Sequence, residues 1–137
     1  MKRKDLILVV DDDLDFLDLV STLLRHEGYE VETAKSGQEA LEKSREKIYS
    51  LSLIDIKLPD IEGVELLQRM EKTDPKMRKV IITGYQTAEN TVQALNLGAN
   101  GYLVKPLKAE EILKTVQKQL AERDREFKKR YVMFDDS

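Results

Sequence analysis

Cysteine and tryptophan are absent from this 137-residue chain, and histidine occurs once. Without thiols there is no disulfide framework, no cysteine nucleophile and no thiolate zinc or iron–sulfur site. Long apolar runs are missing too. The longest, Leu6 to Val10, falls far short of the roughly 18 to 20 residues that cross a bilayer. Neither sign of charge dominates: 23 basic side chains against 26 acidic ones give a net charge of -3, so nothing attracts nucleic acid or anionic lipid globally. Lys2, Arg3 and Lys4 ahead of the apolar run have the look of a secretory leader. Three aspartates follow at once, however, with no small-residue cleavage site, so a cytoplasmic location is expected. A chain of this length makes one domain, burying roughly 68 to 70% of the surface it exposes when unfolded, and needs no covalent staples.

Five strand-sized runs rich in Val, Ile and Leu punctuate the chain: Leu6 to Val10, Glu30 to Thr33, Leu51 to Ile54, Val80 to Thr83 and Gly101 to Val104. The first, third and fourth lack polar alternation, as parallel strands covered on both faces do. Between the runs the apolar spacing is helical. Leu17, Val20 and Leu24 follow i, i+3, i+7, and Ala88, Val92 and Leu95 follow i, i+4, i+7. Ser36 with Glu39 makes a capping box, Gly28 and Gly98 stand where helices close, and Thr73-Asp74-Pro75 reads as a helix-ending turn. Strand and helix alternating five times specify an α/β fold: a doubly wound, flavodoxin-like parallel sheet of five strands in the order 2-1-3-4-5, with helices on both faces. Its switch point lies between strands one and three, and the site is expected at the carboxyl ends of those strands.

The residues at those ends carry chemistry. Asp11 and Asp12 follow the first strand, Asp55 the third and Lys105 the fifth, while Thr83 ends the fourth. Two carboxylates about 5 Å apart repel by roughly 3 kcal/mol at an effective dielectric near 20, so the cluster is costly without a cation. Oxygen-only donors favour a hard ion such as Mg²⁺. An ionised Asp55 can attack phosphorus to give an acyl phosphate, with Lys105 neutralising the phosphoryl oxygens and the Thr83 hydroxyl and Gly84 N–H donating to them. No general base is required. His26, near the end of the first helix, is read as an ordinary surface residue, and Asp13 as the N-cap of that helix.

Four motifs, in order and at these spacings, give the chain a family resemblance. They are Val9-Val10-Asp11-Asp12-Asp13, then Asp55-Ile56-Lys57-Leu58-Pro59-Asp60 leading to Gly63, then Ile81-Ile82-Thr83-Gly84, then Gly98-Ala99-Asn100-Gly101-Tyr102-Leu103-Val104-Lys105-Pro106. From Leu6 to about Leu120 the sequence resembles the response-regulator receiver domains of two-component signalling. The resemblance implies that Asp55 is phosphorylated by the phosphohistidine of a sensor histidine kinase. It also implies that Asp11, Asp12, Asp55 and the backbone carbonyl of Lys57 hold Mg²⁺, that Thr83 and Tyr102 form a switch pair, and that the Lys105–Pro106 bond is cis. Receivers are signalling switches rather than enzymes in the ordinary sense. Two features depart from the common pattern: Ser50 stands where many members carry an acidic residue, a structural position, and Lys57 and Tyr85 occupy variable positions beside the site.

Two other functions fit parts of the pattern. Asp11-Asp12-Asp13 contains the Asp-x-Asp that opens haloacid dehalogenase-type phosphatases, with Asp11 as nucleophile, but no acidic pair follows Lys105 and no cap domain fits in this length. A receiver-like interaction module that never takes phosphate would lack some site residue, and none is missing.

Residues 1–120 are expected to form the receiver and 121–137 a charged helical extension or linker. A helical pattern from Lys108 to Phe127 would span about 30 Å. Leu113, Leu120, Phe127 and Phe134 recur every seven residues with Val116 on the same seam, but Arg123 and Arg130 fall there as well, making a poor coiled coil. Five basic and five acidic residues between Ala121 and Ser137 argue against a nucleic-acid arm. About 17 residues beyond the core are too few for an output domain, so either a stand-alone regulator or part of a longer protein is expected. A homodimer through the fourth helix, fifth strand and fifth helix is a further expectation.

Overall fold

The computed structural model describes the backbone of residues 5–84 and 88–135 and the side chains of residues 5–84 and 92–129. Elements alternate throughout: β1 (Leu6–Val10), α1 (Leu14–His26), β2 (Glu30–Ala34), α2 (Gly37–Glu46), β3 (Leu51–Asp55), α3 (Gly63–Thr73), β4 (Arg78–Thr83), α4 (Ala88–Asn96), β5 (Gly101–Val104) and α5 (Ala109–Asp135). All strand pairs are parallel, in the order β2-β1-β3-β4-β5. This is the doubly wound, flavodoxin-like arrangement, and it puts β1 and β3 side by side at the switch point.

Side chains alternate across the central strands and so divide the core in two. Ile7, Val9, Leu51, Leu53, Val80 and Ile82 face Leu17, Val20 and Leu24 of α1 and Ile112, Val116 and Leu120 of α5. Leu8, Val10, Ile54 and Ile81 face Ala40 and Leu41 of α2, Leu66, Leu67 and Met70 of α3, and Ala94 of α4. Each fully buried large aliphatic side chain contributes roughly 1.5 to 3 kcal/mol, which secures β1, β3 and β4 as the rigid frame.

The local signals act as expected. The Asp13 carboxylate caps α1, accepting from Asp15 N at 3.0 Å and Phe16 N at 3.3 Å. Ser36 Oγ accepts from Glu39 N at 3.1 Å at the start of α2. Gly28 and Gly98 close α1 and α4 with φ of 95° and 113°, a region that glycine enters without steric cost. His26 is exposed, and Ser50 Oγ donates to Asp5 Oδ1 at 3.0 Å, a structural contact.

Three strand bounds differ from the sequence expectation. β2 runs on to Ala34, β3 includes Asp55, and β4 begins at Arg78, two residues before Val80. The last difference has a clear cause: Arg78 and Lys79 are charged, yet both are buried. The Arg78 guanidinium forks to Glu122 and Glu126 of α5, both at 2.9 Å, and donates from Nε to Gln119 at 3.0 Å. Lys79 Nζ reaches Glu71 and the carbonyls of Asp74 and Met77 at 2.7–2.8 Å.

The last helix is longer than its sequence pattern suggested, at 27 residues and about 40 Å. Leu120 and Val116 are spent on the core of the same chain, and Leu113 packs against it. Phe127 lies at the pole of the body beside the α3–β4 turn, between Lys76 and Arg123, whose cationic groups are 5.6 and 4.7 Å from its ring centre. The Lys2-Arg3-Lys4 stretch, Tyr85 and the side chains of Ala88, Arg130 and Phe134 lie outside the described residues. No helix among the described residues is long and apolar enough to cross a membrane.

Candidate functional site

The carboxyl ends of β1 and β3 deliver three aspartates to one place. Ligand oxygens of Asp11, Asp12 and Asp55 all lie within 4.8 Å of one another. Asp11 and Asp55 are buried, whereas Asp12 faces solvent. Asp11 is held at both oxygens: Oδ1 accepts from Asp13 N at 2.9 Å, and Oδ2 accepts from Lys105 Nζ at 3.2 Å. The same ammonium is 3.8 Å from Asp55 Oδ2. Asp55 Oδ1 accepts from Lys57 N at 3.1 Å, tying the start of the β3–α3 loop to the carboxylate.

Burial pushes the Asp55 carboxyl above the usual carboxylate range, and the charges of Asp11 and Asp12 push the same way against the Lys57 N–H and Lys105. Three carboxylates against one ammonium leave the crevice short of positive charge. Oxygen is the only donor type that the cluster offers, which suits a hard divalent cation. The Asp11, Asp12 and Asp55 cluster is therefore able to coordinate a metal ion.

β4 and β5 supply the other members. Asp55 is in register with Ile82, and Ile56 N donates to Ile82 O at 2.9 Å, so Thr83 follows directly beside the start of the loop. Thr83 is buried and Gly84 exposed at the end of the same strand. Lys105 N donates to Thr83 O at 2.8 Å, and the Lys105–Pro106 bond is cis. Tyr102 lies on β5 opposite Ile81, with its ring exposed. A cavity of about 650 Å³ lies at the other pole, among Asp5, Glu30, Ser50 and Asp74, far from this chemistry.

Similarity to known proteins decides the family. Residues 7–117 match the family described as the response regulator receiver domain. The chain belongs to the response-regulator receiver family. A receiver domain protein, described as CheY-like, from Methanospirillum hungatei JF-1 superposes with a TM-score of 0.88 at 43% identity, covering 90% of this chain and 99% of that one. NtrX from Brucella abortus gives a TM-score of 0.90 at 30% identity over 95% of this receiver and 30% of its own chain. The transcriptional regulatory protein ZraR of Klebsiella oxytoca is 40% identical over 115 residues, which are 84% of this receiver and 26% of ZraR. The receiver thus spans about a quarter of the length of that relative.

Receiver domains are signalling modules rather than ordinary enzymes, and this one carries the acidic cluster of a phosphorylation switch. The phosphatase alternative finds no support, since the receiver family match covers residues 7–117.

Three neighbours of the site escape a reading by strand ends. Phe16, in the first turn of α1, has its ring centre 4.6 Å from the Lys105 ammonium, a cation–π contact that steadies the lysine. Gly63 packs so closely that a Cβ there would stand 2.5 Å from Ile56 Cα. Asp60, at the tip of the β3–α3 loop, reaches α2. Gly63 and Asp60 both stand in the motif that follows the third strand, although the partner of Asp60 on α2 is not visible there; the Phe16 contact leaves no mark in spacing or composition.

Proposed function

We propose that Asp55 accepts a phosphoryl group from the phosphohistidine of a sensor histidine kinase and that the receiver thereby switches its signalling surface. The observation that carries this is the Lys105 ammonium set between Asp11 and Asp55, 3.2 and 3.8 Å away, beside a third carboxylate. An Asp55 oxygen attacks phosphorus while the P–N bond to the donor imidazole breaks. The electron pair of that bond returns to the nitrogen, which takes a proton from solvent, and Asp55 becomes an acyl phosphate. A carboxylate has no proton to lose, so no base is assigned. Mg²⁺, held by Asp11, Asp12, Asp55 and the Lys57 backbone carbonyl, would add positive charge at the phosphoryl oxygens. Lys105 neutralises one of those oxygens, and the Thr83 hydroxyl and Gly84 N–H donate to them.

The phosphoryl group brings roughly 1.5 to 2 negative charges to the crevice and draws Thr83 toward it. Tyr102 then occupies the space behind Thr83, changing the face formed by α4, β5 and α5. The exposed apolar side chains Val92, Leu95 and Tyr102 on this face support its use in homodimer formation. Phosphate shifts a population between two states through its different contacts with each. Residues 1–120 constitute the switch in this proposal, and 121–137 extend it toward a downstream module or partner in the cytoplasm. No nucleic-acid contact is assigned to this chain.

Incubation with Mg²⁺ and acetyl phosphate tests the chemistry. One acid-stable, base-labile phosphoryl group is expected on the wild type and none on Asp55→Asn. Label retained by Asp55→Asn but lost from Asp11→Asn would overturn the assignment in favour of phosphatase-type chemistry.

A further inference from the structure

The β3–α3 loop, residues 56–62, carries the Lys57 carbonyl of the proposed metal site, and its two ends are fixed by the sheet and by Gly63. Gly63 N donates to Ile56 O at 2.8 Å, and the backbones of Lys57 and Glu62 form an isolated antiparallel β-bridge. The tip between them is held from a different part of the fold. Asp60 Oδ1 accepts from Gly37 N and Asp60 Oδ2 from Gln38 N, both at 2.9 Å, across 23 and 22 residues of sequence. These are the first two N–H groups of α2, donors that the helix itself cannot satisfy. Ser36 Oγ takes the third, from Glu39.

α2 is a firm anchor, since Ala40 and Leu41 pack into the core. The loop also lies directly on its first turn: a Cβ on Gly37 would stand 3.0 Å from Ile61 Cβ. Both carboxylate oxygens of an exposed side chain are thus committed to backbone donors. The paired N–H bonds hold the Asp60 carboxyl below the usual carboxylate range, so the tether is charged at neutral pH.

We infer that Asp60 is a positioning residue for the metal site: it bolts the tip of the β3–α3 loop to the N-terminus of α2 and so fixes where the Lys57 carbonyl points. This rests on the metal ligands proposed above. Its role is that of an outer support, which orients a ligand without touching the ion.

Calorimetric titration of the full chain with Mg²⁺ alone, with no phosphodonor, tests this. Asp60→Ala is expected to weaken Mg²⁺ binding roughly ten-fold, the scale on which outer supports act. Asp60→Asn, which keeps one acceptor oxygen, is expected to weaken it less, and it decides the matter if the alanine variant does not fold. Ser36→Ala removes a cap from the same helix without touching the loop, so it should lower the melting temperature and leave Mg²⁺ affinity at the wild-type value. Glu62→Gln removes a loop charge without the tether and should also leave the affinity unchanged. Asp60 variants that bind Mg²⁺ as tightly as wild type, or a Glu62→Gln loss equal to that of Asp60→Asn, would overturn the tether alone. A wild-type chain that binds no Mg²⁺ would overturn the metal reading and the tether with it.

Discussion

Lys105 and Thr83 are joined backbone to backbone, the lysine N–H donating to the threonine carbonyl at 2.8 Å. The ammonium and the hydroxyl proposed to hold a phosphoryl group therefore stand on one continuous hydrogen-bonded ladder. A small shift of β4 moves both.

Lys105→Ala tests the charge half of that pair. With the ammonium gone, Asp11 and Asp55 lose their only described cation, and phosphorylation by acetyl phosphate should slow by about ten-fold or more, equivalent to at least ~1.4 kcal/mol of barrier. Circular dichroism should show the fold retained. An unchanged rate in a folded variant would remove Lys105 from the mechanism.

Thr83→Ala tests the hydroxyl half. Beryllofluoride, a phosphoryl mimic, should still bind but should no longer strengthen self-association, because the inward pull on β4 is lost. In the wild type, sedimentation should show a larger species with the mimic, and Tyr102 should become less accessible to solvent. Equal masses with and without the mimic, with Tyr102 exposure unchanged, would show that the route to the α4–β5–α5 face is wrong.

Mg²⁺ should raise the melting temperature by mass action. An ion at one hundred times its dissociation constant stabilises the folded state by about 2.7 kcal/mol. Asp12→Ala takes away one of three clustered carboxylates and should shrink the shift. Absence of any shift at millimolar Mg²⁺ would argue against metal binding.

Arg78→Ala should destabilise the fold by roughly 2 kcal/mol, the scale of hydrogen bonds to charged groups. It deletes the donors that hold Gln119, Glu122 and Glu126. Amide exchange should accelerate over residues 121–129 more than over β1. Uniform loss of protection would show that the guanidinium supports the core as a whole rather than this part of α5.

Alkaline pH provides another readout. Tyr49 is fully buried, and burial raises its hydroxyl well above the ordinary tyrosine value, helped by its 3.1 Å bond to Glu32. A tyrosine raised in the folded state contributes stability that is complete below the unfolded value, near 10, and is lost as pH climbs toward the folded one. Stability should therefore fall above about pH 10. Tyr49→Phe should flatten that limb while costing about 1 kcal/mol at neutral pH, and a limb as steep in the variant as in the wild type would assign it to other groups.

Much of this was legible in the sequence because a doubly wound order turns strand ends into neighbours. Asp11, Asp55, Thr83 and Lys105 are distant in the chain, yet each closes a strand, so topology alone brings them together. The start of β4, expected at Val80, was hidden by charge, since nothing in the sequence shows that Arg78 and Lys79 have partners on α5 and α3 that allow their burial. The partners of Asp60, a motif residue, and the contact of Phe16 were hidden for a related reason. A helix N-terminus can be satisfied, and an ammonium steadied, by a side chain from anywhere in the fold, and periodicity reports only what lies along one element. The seven-residue seam of α5 reads as a poor coiled coil because Arg123 and Arg130 fall on it, and Leu113 and Leu120 indeed serve the chain's own core.

The Arg78 fork also determines where this protein can be cut and rejoined. A splice after Leu120 would look natural, since the last core contact of α5 is there, yet it would strip away Glu122 and Glu126 and leave a buried guanidinium with only the uncharged Gln119 amide as a partner on α5. Chimeras that graft this receiver onto a foreign effector should therefore carry native sequence through Glu126. Beyond that point the helix owes no ion pair to Arg78, and its phase relative to the body is already set by the two glutamates one turn apart.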